Sequence, residues 1–159
     1  MDMLVRLYDL SDETELRREL ALRDTIVRRA MAYERDSVVH WVERAFGDRA
    51  RGWSSECEVA FARSPIACHI AVHRAAIVGF ACHDSTCKNF LGPIGVDADR
   101  RGAGIGRLLL VTALRAMQAE GYGYAIIGQV GAAAFFSRAV GAIEIPGSTP
   151  GIYPPRLEG

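Results

Sequence analysis

Apolar positions in the first third of the chain favour a short strand followed by helices. Residues 3–9, MLVRLYD, alternate apolar and polar side chains as a half-buried strand does. The next apolar side chains recur at helical spacing: Leu16, Leu20, Val27 and Ala30. This spacing predicts a helix to about residue 34, and Asp12 with Glu15 has the form of a capping box.

A second helix is predicted directly after the first. Asp36 and Ser37 are suited to cap its start, and Gly47 is suited to end it. Residues 47–56, GDRARGWSSE, are mostly polar and predict a loop. A strand is expected around residues 57–62.

The middle of the chain has the pattern of short strands joined by tight turns. Segments 67–73, 75–84 and 89–96 are rich in β-branched and apolar side chains. The link at 73–75 is short enough for a hairpin. Because proline has no N–H group, the third strand is expected to be irregular near Gly92-Pro93, by a bulge or by lying at an edge.

The C-terminal part alternates helices and strands. A helix is predicted over 105–120 with Gly121 as its cap, then a buried strand over 124–130 and a short helix over 131–140. The tail is rich in proline and glycine and predicts turns around one or two short strands. This order of elements predicts an α/β (mixed α+β) protein, with a central mixed, mostly antiparallel sheet and helices on both faces.

Composition and charge narrow the class of protein. The chain has 159 residues, half of them hydrophobic, which predicts one domain spanning 1–159 with a sizeable core. Lys plus Arg and Asp plus Glu balance at 19 each, so charge gives no case for nucleic acid or a membrane surface as partner. No apolar run is long enough to span a membrane, and the N-terminus lacks a signal layout, so a cytoplasmic location is expected.

Four cysteines raise the question of a metal site. They are Cys57, Cys68, Cys82 and Cys87. The pairs Cys68-His69 and Cys82-His83 fall in predicted strands, where adjacent side chains point to opposite faces. Each pair could therefore offer one ligand only, and the interpretation we favour is packed, reduced thiols with no metal.

The segment 97–106 carries the strongest chemical signal. Gly102, Gly104 and Gly106 follow a predicted strand and open a predicted helix. Glycine allows close approach of the backbone and positive φ, and the first turn of a helix presents unpaired N–H groups with a partial positive charge. The segment therefore predicts a cradle for a phosphate or pyrophosphate, against the simpler alternative of a tight strand–helix turn.

Three known cradles can be compared with this loop. The nucleotide P-loop needs a lysine that is missing, and the dinucleotide pattern needs a glycine where Arg107 stands. Arg101–Gly106 fits [QR]xxGx[GA], and Val96–Gly106 fits VxPxxRGxGIG except for Ala98. These residues resemble the acyl-CoA pyrophosphate loop of the GNAT N-acetyltransferase superfamily.

The resemblance extends beyond the loop. The predicted order of elements is similar to that of the family, and the match is strong over 89–142 and weak over 1–66. A downstream helix resembles the family's NxxAxxFYxxxG, with Gly141 one residue late. The matching positions hold Gln129, Ala132, Phe135 and Phe136.

The resemblance implies a GNAT fold and acetyl-CoA as cosubstrate. The residues it implies for binding are Ile94, Val96, Arg101, Gly102, Ala103, Gly104, Ile105, Gly106, Arg107, Phe136 and Arg138. Backbone N–H groups of 102–107 would bind the pyrophosphate, and Ile94 with Val96 would pair with pantetheine like an added strand. An N–H group near Ile94 could polarise the thioester carbonyl. Arg101 and Arg138 could reach the nucleotide phosphates, or Arg138 could simply be solvated.

The family's catalytic tyrosine is missing. Phe136 stands at that position, and an alignment from the C-terminal side puts Ser137 there instead. Tyr153, Tyr124 or a water molecule could replace it as the proton donor. Strand 89–96 holds no carboxylate; for the general base, His83 and Asp84 end the strand before it, and Glu56 lies in the upstream loop.

The sequence thus favours an acetyl-CoA-dependent N-acetyltransferase that transfers acetyl directly to a small primary amine in a ternary complex. One alternative is a non-catalytic acyl-CoA-binding module, which the missing tyrosine favours. Another is a nucleotide-binding protein that uses the same loop. Glu56, Glu58 and Asp84 could attract an ammonium group. The apolar tail could pair across a homodimer or finish the sheet.

Overall fold

The computed structural model describes residues 1–157. Its strands are β1 (Met3–Arg6), β2 (Thr25–Arg29), β3 (Cys68–His73), β4 (Ala76–His83), β5 (Phe90–Val96), β6 (Tyr124–Ile127) and β7 (Ile143–Glu144). Its helices are α1 (Thr14–Ala21), α2 (Arg35–Phe46), α3 (Trp53–Phe61), α4 (Ile105–Ala119) and α5 (Ala133–Val140). The mixed α/β composition agrees with the class expected from the sequence.

All seven strands form one sheet in the order β2-β3-β4-β5-β6-β1-β7. Every neighbouring pair is antiparallel except β5 with β6, which is parallel. The expected mixed, mostly antiparallel sheet is therefore confirmed. The single parallel pair lies in the middle of the sheet, and the connection between its strands contains α4.

Helices cover both faces of the sheet and bury two apolar clusters. The larger cluster contains the buried face of α4, with Leu108, Leu109 and Leu114 packed on the strands. The second cluster joins α2 and α3 to the opposite face through Val38, Phe61 and neighbouring side chains. Burial of these side chains is the main favourable term in folding, since it removes apolar surface from water.

The hairpin between β3 and β4 forms where the sequence predicts it. His73 pairs with Ala76, which leaves Arg74 and Ala75 as a two-residue turn. Both have positive φ, 46° and 68°, as a turn that follows the twist of its strands requires. The strands β3, β4 and β5 and the helix α4 all lie within one or two residues of their predicted bounds.

The helix predicted to run to about residue 34 is wrong in its second half. It ends at Ala21, and Thr25–Arg29 form the edge strand β2, paired with β3. The β-branched residues Thr25, Ile26 and Val27 favour a strand, and burial alternates along them as a half-covered edge requires. The capping box is also wrong, because Asp12 accepts a hydrogen bond from the Thr14 backbone N–H (2.9 Å) rather than from residue 15.

The strand expected around 57–62 is a helix. Trp53, Cys57, Ala60 and Phe61 lie four, seven and eight residues along one face, and this helical period outweighs the local β propensity. Gly52, with φ of 95°, begins the helix inside the segment that the sequence suggested as a loop. Strands β1 and β6 are shorter than expected, and the described part of the tail contributes only β7. In residues 1–157, no helix has the length and apolarity that a membrane crossing requires.

Leu109 offers a test of the packing beneath the sheet. Its side chain is fully buried on α4, and one of its methyl groups would lie 2.8 Å from a Cβ at Gly79. Leu109→Ala should lower the free energy of unfolding in urea by about 3 kcal/mol, because the cavity cannot collapse fully. Leu22→Ala is the control, since Leu22 is 77% exposed and should change stability by less than about 0.5 kcal/mol. Equal losses in both variants would contradict this packing.

Candidate active site

The parallel strands β5 and β6 separate shortly after they meet. They pair only at Phe90 with Ile126 and at Leu91 with Ile127. Just beyond this point β5 carries one extra residue relative to β4, because Ala81 pairs with Ile94 while His83 pairs with Leu91. The bulge falls at Gly92-Pro93 and confirms the irregularity expected there. The sheet therefore opens in its middle, between two strands that remain anchored on their outer sides.

A cavity of about 310 Å³ lies where the strands part. Its walls come from 90–94 of β5 and from 127–132 at the end of β6 and in the loop that follows. Side chains from other elements close it: Trp53, Glu56, Thr86, Phe136 and Tyr153. Most of this lining is apolar, so the few polar groups in it are placed to orient a ligand.

The glycine loop beside this opening has the backbone conformation that the sequence predicts. Gly102 and Gly104 have φ of 85° and 92°, a region that other residues rarely adopt. Gly104 is the N-cap of α4 and provides no side-chain cap, so the first N–H groups of the helix are free to bind an anion. A Cβ at Gly102 would meet no protein atom within 4 Å, which leaves the loop open on that side.

Two arginine side chains near the loop form hydrogen bonds with other groups of the protein. Arg107 donates to Glu13 Oε1 through Nε (3.1 Å) and an η nitrogen (2.9 Å), and this pair ties α4 to the start of α1. Arg101 Nε donates to the Val96 carbonyl at 3.2 Å and so joins the loop to β5. Arg101 also borders a second cavity of about 410 Å³. An anion at the loop would therefore meet mainly free backbone N–H groups, because the arginine side chains are already engaged.

Glu56 brings a carboxylate into the cavity. It lies on the first turns of α3, and its Oε1 accepts a hydrogen bond from Thr86 Oγ1 at 2.5 Å. Trp53 reaches the same cavity from one helical turn earlier on α3. Glu56 is the charged member of the lining formed by residues 1–157, where the remaining members are neutral. An ammonium group entering the cavity would meet this carboxylate.

Tyr153 closes the cavity from the tail. Burial, followed by the negative charges of Asp2 and Glu56, raises the pKa of Tyr153 to about 12, so the phenol keeps its proton at neutral pH. The hydroxyl lies against Gly128, where any Cβ would collide with it.

Asp2 fixes the tail that carries this tyrosine. Its backbone N–H donates to Ser148 Oγ at 2.7 Å, and its Oδ1 accepts from the Gln129 backbone N–H at 3.0 Å. The β6 loop and the tail are therefore held to the same buried carboxyl residue, which keeps Tyr153 over the opening.

The two candidate bases at the end of β4 do not reach the cavity. His83 is fully buried toward α4, with Nε2 at 3.1 Å from Glu120 Oε1. Asp84 Oδ1 accepts from the Asn89 N–H (2.8 Å) and its Oδ2 from the Tyr122 hydroxyl (2.9 Å). Asp84 thus shapes the turn into β5. The strand directs both side chains into the protein rather than into the opening, so neither belongs to the cavity lining.

The candidate residues on α5 lie on different sides of the helix. Phe136 and, from β5, Ile94 line the cavity as expected. Ser137 is exposed and donates to the Ala142 carbonyl at 2.9 Å, so it caps the end of the helix and does not face the cavity. Arg138 is exposed on the helix surface, and Val96 lies outside the lining.

Sequence reasoning missed the importance of two cavity residues. The sequence offers Glu56 as a candidate base and as one of several carboxylates that could attract an ammonium group, but the predicted loop and strand around it hide its place on α3. Trp53 carried no motif at all. The usable signal was the helical spacing of Trp53, Cys57 and Phe61, which places residue 56 beside residue 53 on an adjoining face.

The Acetyltransferase (GNAT) family model matches residues 24–142. The chain belongs to this family. The match includes the glycine loop, both strands that part around the cavity, and α5. No curated protein matches the chain.

Solved structures of GNAT proteins share the fold. A GCN5-related N-acetyltransferase from Sphaerobacter thermophilus has a TM-score of 0.67 at 21% identity, covering 89% of this chain and 47% of its own. A GNAT family acetyltransferase from Brucella melitensis, in complex with acetyl-CoA, has a TM-score of 0.54 at 22% identity; the match covers 73% of this chain and 81% of the Brucella chain. The glucosamine N-acetyltransferase region of a fungal multi-domain GH3 β-N-acetylglucosaminidase has a TM-score of 0.69 at 15% identity; the match covers 87% of this chain and 19% of the fungal chain. This chain therefore spans about a fifth of the fungal protein and about half of the Sphaerobacter protein.

Proposed function

We propose that the chain is a single-domain, acetyl-CoA-dependent N-acetyltransferase that acts on a small primary amine by direct transfer in a ternary complex. One observation carries the proposal. The opening between β5 and β6 is followed along β5 by the uncapped, glycine-initiated N-terminus of α4. A Cβ at Gly106 would lie 3.6 Å from the ring of Phe135, the neighbour of the cavity residue Phe136, so an anion cradle lies close to an apolar cavity. Family membership and the acetyl-CoA complex of the Brucella relative support it.

The residues present fit coenzyme A. Backbone N–H groups of 102–107 would hold the pyrophosphate, where positive φ and the open side of Gly102 allow close approach. The part of β5 beyond Leu91 has no pairing to β6, so its backbone is available to the pantetheine amides like an unpaired edge. A backbone N–H group near Ile94 would bind the thioester oxygen as negative charge develops there.

Glu56 and Tyr153 would divide the proton transfers. Acetyl-CoA supplies the acetyl group as a thioester. The amine nitrogen forms a bond to the acetyl carbon as the carbon–sulfur bond breaks, and Glu56 takes the proton that the amine loses, directly or through water. Tyr153, protonated at neutral pH, gives its proton to the departing sulfur and recovers one from solvent.

The lining also supports a class of acceptor. One carboxylate among apolar and aromatic walls favours a small amine with an apolar substituent over an anionic or polymeric acceptor. Electrostatic attraction would hold the ammonium form near Glu56 until it loses its proton.

A second candidate function is a non-catalytic acyl-CoA-binding module. Phe136 cannot donate a proton, and the neighbouring Ser137 hydroxyl is engaged by the Ala142 carbonyl. In that case the same cradle would bind coenzyme A without turnover.

The first prediction concerns the cradle. The wild type should bind CoA, and not ATP, in calorimetric titrations. Gly102→Val should weaken CoA binding at least about tenfold, because the side chain would occupy space that only the ligand fills. Gly104→Val should do the same. Both changes place a side chain at a positive φ, 85° and 92°, and should each lose about 1–2 kcal/mol of stability; at Gly104 the Cβ would also approach a Leu16 methyl group at 2.7 Å. Gly123→Ala, in open space without positive φ, is the control. Unchanged affinity in a folded Gly102→Val protein would contradict the cradle.

The second prediction concerns Glu56. With acetyl-CoA and a panel of small amines, the wild type should release free thiol. Glu56→Gln should reduce kcat/KM about a hundredfold or more while CoA affinity stays the same. Glu58→Gln is the matched control, because Glu58 lies on the same helix but is half-exposed and bound to Arg35. Tight CoA binding without thiol release from any amine would favour the binding module instead.

The third prediction concerns the proton donor. Tyr153→Phe should lower kcat about a hundredfold with CoA affinity retained, because the phenol would no longer protonate the sulfur. Phe136→Tyr is nearly isosteric and should change wild-type turnover little if Tyr153 already serves. Full turnover in Tyr153→Phe would exclude Tyr153 and leave water as the donor. Thiol release over time, with CoA titrations of each variant, measures these outcomes.

A further inference from the structure

Three buried cysteines meet on the face of the sheet covered by α2 and α3. Cys57 comes from α3, Cys68 from β3 and Cys82 from β4, and each is fully buried. Their three sulfur atoms all lie within 4.8 Å of one another. Three elements far apart in sequence thus converge on one point, which we call the thiol cluster.

Strand geometry explains how the cluster forms. Cys68 and Cys82 are direct partners across the antiparallel pair β3–β4, so their side chains stand together on one face. The next residues, His69 and His83, lie on the opposite face, where their rings stack 5.9 Å apart. Each Cys-His pair thus offers one group per face, as expected from the sequence. The sequence considers only the two strand pairs, and the structure adds a third thiol, Cys57, from α3.

One ion can be coordinated by the three sulfurs after they move inward. Three sulfurs at about 2.3 Å from one ion stand about 3.3–4.0 Å apart, and the cluster sulfurs lie within 4.8 Å of one another, so binding requires them to approach by up to about 1.5 Å. Within residues 1–157, the group contains only these three ligands, without histidine or carboxylate. Structural zinc almost always takes four ligands. A three-coordinate, sulfur-seeking ion fits better.

Charge selects the valence of that ion. Three thiolates around a monovalent ion leave a net charge of about −2, around a divalent ion about −1, and around a trivalent ion zero. The surroundings are apolar, with Val38, Val42 and Phe80 in the same cluster. The nearby Arg35 is engaged by Asp36 and Glu58. An uncompensated buried charge is costly, so only the neutral complex avoids that cost.

We propose that Cys57, Cys68 and Cys82 form a binding site for a trivalent thiophilic ion of the arsenite class. The step is a ligand exchange at As(OH)₃, which is neutral at physiological pH. Three sulfur–arsenic bonds replace three oxygen–arsenic bonds, and each thiol proton leaves with a hydroxide as water. Arsenic stays trivalent and the cysteines stay reduced, so no oxidant or reductant takes part.

Loading of the site should be slow. The three sulfurs are fully buried, so an ion can reach them only through a local opening of α3.

Native mass spectrometry of the phosphine-reduced protein with sodium arsenite tests the site. The expected product carries one arsenic per chain, with a mass gain of one arsenic atom less three hydrogens. X-ray absorption at the arsenic edge should show three sulfur neighbours and no oxygen. Cys57→Ala, Cys68→Ala and Cys82→Ala should each lose this species, with folding checked by circular dichroism. Cys87→Ala is the matched control and should load as the wild type does, because Cys87 lies outside the cluster.

Several outcomes would overturn the proposal. They are the absence of a one-arsenic product in native protein, loading only in denaturant, oxygen neighbours in the absorption spectrum, or loss of loading in Cys87→Ala. Displacement of arsenic by an equimolar divalent ion such as Cd²⁺ would refute the choice of valence. The wild-type spectrum and the competition need no variant, so the proposal stays testable even if a cysteine variant unfolds.

Discussion

Two residue pairs, Phe90–Ile126 and Leu91–Ile127, hold the two halves of the sheet together at the one parallel junction that residues 1–157 form. Strands β2, β3 and β4 are joined to the other half of the sheet through β5, and strands β1 and β7 are joined to it through β6. Because pairing stops there, backbone that would otherwise be satisfied within the sheet faces an opening. Such groups are costly when buried and unpaired, so the opening must be filled by solvent or by a ligand with amide groups of its own.

Strands β5 and β6 can separate because other contacts hold the two halves of the sheet together. Helix α4 buries eight residues and packs against strands on both sides of the opening, so it crosses the junction on one face of the sheet. On the far side, Asp2 binds the β6 loop and the tail together. The strands can therefore part without the sheet falling into two pieces, and the loop between β5 and α4 is fixed at the edge of the opening.

The predictable part of this structure is the part made by backbone. Glycines at 102 and 104 favour positive φ after a predicted strand, and the link between β3 and β4 is short enough only for a tight turn, so the sequence alone places both features. The misjudged segments, Thr25–Arg29 and Trp53–Phe61, are short; the first is an edge strand and the second is a helix packed on one face of the sheet. There, pairing with β3 or packing on Phe80 decides the conformation, and neither partner is adjacent in sequence.

The groups proposed to take part in chemistry also divide into those that the backbone provides and those that the tertiary fold brings together. The cradle needs only N–H groups and was predicted from its loop. Glu56 and Tyr153 come from α3 and from the tail, and they meet through the tertiary fold, as do the three cysteines. Helix α3 presents Glu56 to the cavity and its neighbour Cys57 to the thiol cluster. Consecutive residues on a helix point about 100° apart, so one element can serve two sites without either side chain crossing the other. Helix α3, whose conformation the sequence did not predict, therefore supplies both the candidate base and one proposed ligand of the cluster.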